Sequence, residues 1–332
     1  MKRFISCMTV LVMLFTFNFA GASLAEGKKL SIVTTIFPVY DWVREVVGGN
    51  DNVEITMLLD SGVDLHSYQP TAQDIMKVAT CDVFVYVGGE SDEWAEDALA
   101  EAVNPEMVVV NLVEAMGEDI KPEEIVEGME HEHEHDEEDH EDADGEYDHE
   151  HEDEVDEHVW LSLRNAQKLV KALAVALGEA DPANAGNYAA NADAYAGKLA
   201  ALDAEYAAAR ENADFDTVLF GDRFPFRYLV DDYGLNYYAA FSGCSAESEA
   251  SFETIVFLAG KVDELGLSTV LTIEGDNHRI AETIVGNTQS KNAKVLAMDS
   301  LQSTTGEDVK NGATYLGAME ANLEALKQAL AK

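Results

Sequence analysis

The stretch PANAGNYAANADAYAGKLAALDAEYAAAR, Pro182 to Arg210, decides the architecture of this chain. Tyr188, Tyr195, Leu199, Leu202 and Tyr206 recur in it at helical spacing and make one apolar stripe, while alanine fills much of the rest. Alanine favours the helix at every position, and the run is longer than the roughly 8–20 residues of an ordinary globular helix. A second helical stretch, Leu163 to Leu177, leads into it. A rod of this length, set between two segments of alternating strands and helices, is expected to be a spine that joins two lobes.

Before the spine, Lys29 to Thr35 reads as a buried strand, followed by Pro38 and a helix with Val39, Trp42, Val43, Val46 and Val47 on one face. Further strands are expected at Val53 to Leu59, Val83 to Val87 and Met107 to Asn111, with helices from Thr71 to Ala79 and from Trp94 to Ala102. After the spine the rhythm resumes. Strands are expected at Thr217 to Phe220, Asn236 to Ala240, Val270 to Ile273 and Lys294 to Ala297. Helices are expected at Phe226 to Tyr233, Ser251 to Leu265, Arg279 to Thr288 and Ala313 to Leu330. Alternation of this kind argues for parallel sheets covered on both faces. The expected fold is α/β: two lobes, each a mainly parallel β-sheet flanked by helices, joined by one long rigid α-helix. The boundaries read as a leader over 1–25, a first lobe over 26–162, linking helices over 163–212 and a second lobe over 213–332. No sequence repeat relates the two halves.

Within the first lobe, residues 123–157 depart from ordinary protein. From Glu130 to Glu157 there are 18 Asp or Glu and 6 His among 28 residues, and no Lys or Arg. Such a segment has too little apolar surface to offset the entropy of ordering and is expected to be a disordered loop. Imidazoles interleaved with carboxylates suit divalent transition metals, zinc first, as many weak and interchangeable sites. His131-Glu132-His133-Glu134-His135 formally satisfies the zinc-protease signature, but that motif works on an apolar-faced helix and here it lies in low-complexity sequence.

The formal net charge of the 332 residues is −43. Phosphate binding relies on Lys and Arg, so nucleic acid is excluded as a natural partner, whereas cations are drawn in by the field. Met1-Lys2-Arg3, the apolar run Phe4 to Ala20 and Ser23-Leu24-Ala25 have the form of an export signal, placing the mature protein in the periplasm or on the outer face of the cell membrane. Of the three cysteines, Cys7 lies in that leader. Cys81 and Cys244 are left either as free thiols or as a pair in an oxidising compartment.

Outside the acidic run only His66, His158 and His278 remain, each at a strand end or in a loop entering a helix, where open α/β sheets place binding residues. His66 stands in Asp64-Leu65-His66-Ser67-Tyr68-Gln69-Pro70, His158 in Asp156-Glu157-His158-Val159-Trp160-Leu161, and Asp299 in Ala297-Met298-Asp299-Ser300-Leu301. With Val83 to Gly88, Trp94, Asp181-Pro182-Ala183-Asn184, Tyr233-Gly234-Leu235 and Thr314-Tyr315-Leu316, these passages resemble the solute-binding proteins of bacterial zinc and manganese ABC transporters. The likeness runs through nearly the whole mature chain. It implies one divalent cation between the lobes, with His66 and His158 as ligands from the first and Asp299 from the second. Two imidazoles and a carboxylate also suit zinc on chemical grounds, and the acidic His-rich segment is the feature of the zinc-type relatives.

One position departs from the family. Where zinc-type relatives carry a third His, and manganese-type relatives a Glu, this chain has Arg223, which cannot ligate a cation. Either water completes the shell or another residue does, with His278 the first candidate and Glu247, Glu249 and Glu274 after it. Arg223 is expected either to pair with one of those carboxylates or to face solvent. The function expected is capture of Zn2+ outside the cytoplasm by a monomeric receptor, which delivers it to an ABC permease driven by a cytoplasmic ATPase, without catalysis. A manganese or iron receptor (Mn2+ as the first alternative cargo), a zinc-dependent hydrolase and a passive zinc store are the competing readings.

Overall fold

The computed structural model describes residues 29–129, 155–245, 249–275 and 277–332. The leader, the segment 130–154 that carries six histidines, and Glu247 lie outside the described residues.

The first lobe runs β1 (Leu30–Thr34), α1 (Phe37–Val47), β2 (Val53–Met57), α2 (Ala72–Thr80), β3 (Val83–Tyr86), α3 (Trp94–Ala100), β4 (Val108–Asn111) and α4 (Leu112–Met116). Helices α5 (Leu163–Ala180) and α6 (Ala185–Glu211) follow. The second lobe contains β5 (Thr217–Phe224), α7 (Arg227–Tyr233), β6 (Asn236–Ser242), α8 (Phe252–Leu265), β7 (Thr269–Ile273), α9 (Arg279–Asn287), β8 (Lys294–Met298), α10 (Gly306–Lys310) and α11 (Tyr315–Ala329). Both sheets are wholly parallel, and their orders, β2-β1-β3-β4 and β6-β5-β7-β8, are the same pattern repeated. The C-terminal ends of all eight strands are therefore the edges where loops gather side chains for binding.

The strands form where the sequence offers β-branched and aromatic residues without alternation, because both faces are covered by helices. All residues of β3 and β7 are buried. Helix starts follow capping chemistry: Thr71 and Asp74 form a capping box at α2, Ser162 caps α5 and Ser251 caps α8.

Helix α6 is the expected spine, 27 residues long, and every member of its stripe, Tyr188, Tyr195, Leu199, Leu202 and Tyr206, is buried. It is bolted to both lobes. Asn191 Nδ2 donates to the Val46 carbonyl at 3.0 Å in the first lobe, and Tyr206 Oη donates to the Met319 carbonyl at 2.7 Å in the second. One continuous apolar cluster runs from the first sheet through α5 and α6 into α7 and α11. Among the described residues no helix is long and apolar enough to cross a membrane.

The largest departure from the expected elements is β5, which continues four residues past Phe220. Its register with β6 shifts between Phe220 and Arg223 and then resumes, with Arg223 opposite Phe241 and Phe224 opposite Ser242. Gly221 sits at this irregularity, where α9 crosses so closely that a Cβ would lie 2.5 Å from the Ala281 Cα. The irregular strand carries Arg223 forward to the lobe junction.

Three hydrogen bonds fix that junction. Tyr315 Oη donates to the Trp160 carbonyl at 2.6 Å, Trp160 Nε1 donates to the Ser300 carbonyl at 2.9 Å, and Tyr228 Oη donates to the Asp156 carbonyl at 2.9 Å. The segment 156–160 is thus pinned on both sides of His158. Tyr315→Phe would keep the edge-on packing against Trp42 but leave the buried Trp160 carbonyl without its donor. Such a loss costs about 1–3 kcal/mol. It should appear as a lower urea midpoint with an unchanged m value; an unaltered midpoint would show that this bond contributes nothing net.

Candidate metal centre

His66 lies in a short 3-10 turn, Leu65–Ser67, whose start is capped by Asp64: its carboxylate accepts the His66 backbone N–H at 3.0 Å. His158 stands just before a second such turn, Val159–Leu161, and is fully buried. Asp156 Oδ1 accepts both the His158 backbone N–H and its ring Nδ1–H, each at 2.9 Å. That contact orients the ring, whose Nε2 lies on the side of His66. The ring of His66 is held through Nδ1 by the Ser91 hydroxyl at 2.6 Å, and its Nε2 is 3.1 Å from His158 Nε2. Two nitrogens bound to one tetrahedral zinc ion stand about 3.3 Å apart, given Zn–N bonds of about 2.0–2.1 Å. The imidazoles are therefore spaced to share a cation with almost no movement.

Burial, and next the neighbouring His158, push the His66 ring down to about 3, so at neutral pH it is an uncharged ligand. Carboxylates surround the pair. Glu157, buried, accepts the Ser91 backbone N–H at 2.8 Å through Oε1, while its Oε2 is buried with no hydrogen-bond partner. Burial raises Glu157, and it raises Asp92 to about 7 against the two backbone N–H groups, of Gly88 and Val87, that it accepts. A bound dication would relieve the cost of burying these carboxylates beside the imidazoles.

Among the described residues one group of metal-ligating side chains converges: His66, His158 and Cys244, with one ligand atom from each lying within 4.8 Å of the others. Cys244 comes from the second lobe, two residues beyond the end of β6. Gly243 makes its approach possible, because a Cβ there would stand 2.9 Å from His158 Cε1 and 3.0 Å from the Phe224 carbonyl. The Cys244 backbone N–H donates to Glu123 Oε1 at 3.1 Å, tying the loop back to the first lobe. Burial, then the charges of Glu123, Glu157 and Asp156, push the metal-free thiol well above its usual range. Cys81 and Cys244 are not bridged; Cys81 Sγ donates to the Val78 carbonyl at 3.2 Å, buried at the end of α2.

Asp299 is not within that group. It directly follows β8 in an interlobe cleft of about 910 Å³, which it lines together with Phe37, Glu274 and Asp308. Its Oδ1 accepts the Leu301 N–H at 2.8 Å, and burial, then the charge of Glu274, raise the carboxyl to about 6. Glu274 is engaged with Ser300 and Ser303. The structure does not bring His278 to the histidine pair either: its Nδ1 is 3.4 Å from Thr272 Oγ1, on the second lobe. Arg223 neither faces open solvent nor pairs with Glu249 or Glu274. Its Nη2 donates to Asp64 Oδ2 at 2.7 Å, an ion pair across the lobes to the residue that caps the His66 turn. Burial favours the neutral Asp64 carboxyl, but the guanidinium outweighs it and holds Asp64 below the usual carboxylate range.

Of the residues expected at the site, the structure brings His66 and His158 together, and beside them stands Cys244, which the sequence left as a free thiol or half of a pair. The available signal was its position: it follows a strand end next to a glycine, on the sheet edge that also carries Arg223.

Comparison with known proteins identifies the family to which this fold belongs. The family model described as zinc-uptake complex component A, periplasmic, matches residues 32–329. A zinc-binding protein AdcA from Streptococcus pyogenes is 30% identical over 334 residues, covering 98% of this chain and 61% of its own length. The chain therefore spans about three fifths of that longer relative. The high-affinity zinc uptake system protein ZnuA of Bacillus subtilis is 30% identical over 310 residues, covering 93% of this chain and 90% of its own. Among solved structures, the Zn(II)-bound ZnuA-like domain of Streptococcus pneumoniae AdcA aligns with a TM-score of 0.69 at 27% identity, covering 91% of this chain and 99% of that one. The protein FpvC of Pseudomonas aeruginosa, solved in complex with Mn2+, aligns with a TM-score of 0.66 at 26% identity, over 91% and 98% of the two chains. Two like parallel sheets on one spine, paired imidazoles at their junction and a family match over nearly the whole described chain lead to one assignment: this protein belongs to the family of the periplasmic zinc-uptake complex component A.

Proposed function

We propose that this protein captures Zn2+ outside the cytoplasm between its lobes and delivers it, as a monomer, to a membrane permease driven by an ATPase. The observation that carries the proposal is the pair of Nε2 atoms 3.1 Å apart, each ring held through its other nitrogen. His66 and His158 are the ligands of the first lobe. Asp299 is the carboxylate that the loaded site recruits from the second, since it lies one residue before the Ser300 carbonyl that holds Trp160. His278 is left outside the shell by its contact with Thr272. The lobes themselves are taken as 26–162 and 213–332, with 163–212 linking them.

The family is one of solute-binding transport proteins. Absence of catalysis is part of the proposal, and a zinc-loaded sample inert toward peptide, ester and phosphoester substrates is the expected result. Manganese is the second reading, and the paired imidazoles argue against it because manganese prefers an oxygen-rich shell.

The test is competitive titration of the full chain and of a variant lacking residues 130–154, with zinc and manganese against a chromogenic chelator. The excision stops at 154 because Asp156, Glu157 and His158 belong to the folded body. Excision should remove the weak sites and leave one tight zinc site whose affinity changes less than about threefold, as expected for independent sites. Loss of the tight site with the segment, or tighter binding of manganese than of zinc, would sink the proposal.

A further inference from the structure

We propose that Cys244 is a third protein ligand of the captured ion, bound as a thiolate, and that its sulfur sets the preference for zinc over harder divalent cations. This rests on the zinc-capture reading above and goes beyond it by assigning a donor and a basis for selectivity.

The strand ends of the second sheet explain why the donor comes from this position. β5 and β6 are parallel neighbours, with Phe224 opposite Ser242, so Arg223 and Cys244 lie on adjacent strand ends. The end of β5 supplies no donor: its guanidinium is committed to Asp64 at 2.7 Å. The end of β6 turns inward through Gly243, against the His158 ring, and brings the thiol into the group that contains both imidazoles. Glu123 holds the backbone of that turn at the Cys244 N–H.

On binding, the Cys244 Sγ–H bond breaks, an Sγ–Zn bond forms, and one proton leaves to solvent for each ion captured. No electron is transferred. Two imidazoles and a thiolate are a softer set than two imidazoles and a carboxylate, which favours zinc and disfavours manganese. The remaining position falls to Asp299, the carboxylate recruited from the same lobe.

Cobalt(II) substitution tests this in the full chain, because thiolate–cobalt bonds give an intense near-ultraviolet charge-transfer band that imidazole and carboxylate ligands do not. With one equivalent of Co2+, the wild type and the Cys7→Ser/Cys81→Ser variant should show the band, and Cys244→Ser should lose it while keeping visible ligand-field bands from the two histidines. The acidic segment contains no cysteine and cannot produce it. Cys244→Ser should also weaken zinc roughly 100-fold and change manganese affinity far less, as loss of a soft donor requires. A wild-type cobalt complex with strong visible bands and no sulfur band overturns Cys244 ligation and leaves zinc capture standing. Failure of the wild type to bind either cobalt or zinc tightly overturns both.

Discussion

His158→Ala is expected to abolish tight zinc binding, weakening it by roughly 1000-fold or more, about 4 kcal/mol, because one strong donor is lost from a small set. The ring is fully buried and anchored by Asp156, so its place at the site is fixed by the fold. His66→Ala should show a loss of similar order, since its Nε2 is the other half of the 3.1 Å pair. Circular dichroism of the metal-free variants separates loss of the ligand from loss of the fold. Competitive titration reads the affinity, and retention of zinc within tenfold of wild type in either folded variant would remove these residues from the site. His278→Ala serves as the contrast and should leave the tight site intact, because its contact is with Thr272.

Gly243→Val is the second large effect. A Cβ at this position would stand 2.9 Å from His158 Cε1, 3.1 Å from its Nδ1 and 3.0 Å from the Phe224 carbonyl. None of these atoms is the free end of a flexible chain: the ring is held by Asp156 and the carbonyl belongs to β5. The loop must back away or the ring must tilt out of its bond to Asp156, and either movement spoils the meeting of donors. Displacing a ligand or the partner that orients it weakens metal binding by roughly 10- to 100-fold. Gly243→Ala meets the same contacts with less bulk and should fall between wild type and valine. A valine variant with wild-type affinity would show that the second-lobe loop does not contribute to the site.

The elements were readable where periodicity and burial agree. The α6 stripe, the buried hydrophobic runs of β3 and β7 and the caps at Thr71, Ser162 and Ser251 each follow from local chemistry. The ends were less readable where a long-range contact extends or shortens an element. The strand expected to stop at Phe220 continues to Phe224, with α9 packed against Gly221, a contact the neighbouring residues do not announce. At the site, His66 and His158 were visible because histidine is rare outside the acidic run. Cys244 was not, since a lone cysteine carries no spacing signal. Arg223 could be seen to be no ligand, but its ion pair with Asp64, 159 positions away, could not be read from either residue's neighbours.

The chain by itself determined the α/β class, two lobes on one long helix and a strongly acidic surface that draws cations. These are consequences of helical and strand periodicity, net charge and side-chain chemistry, all of which are local or additive. Only the tertiary structure decided which second-lobe groups stand at the histidine pair: a guanidinium locked to Asp64 and a thiol admitted by a glycine, with Asp299 in the adjoining cleft. That choice depends on how the two lobes meet, with distances set by the packing of Trp160, Tyr228 and Tyr315 across the junction, and no local pattern in the chain encodes it.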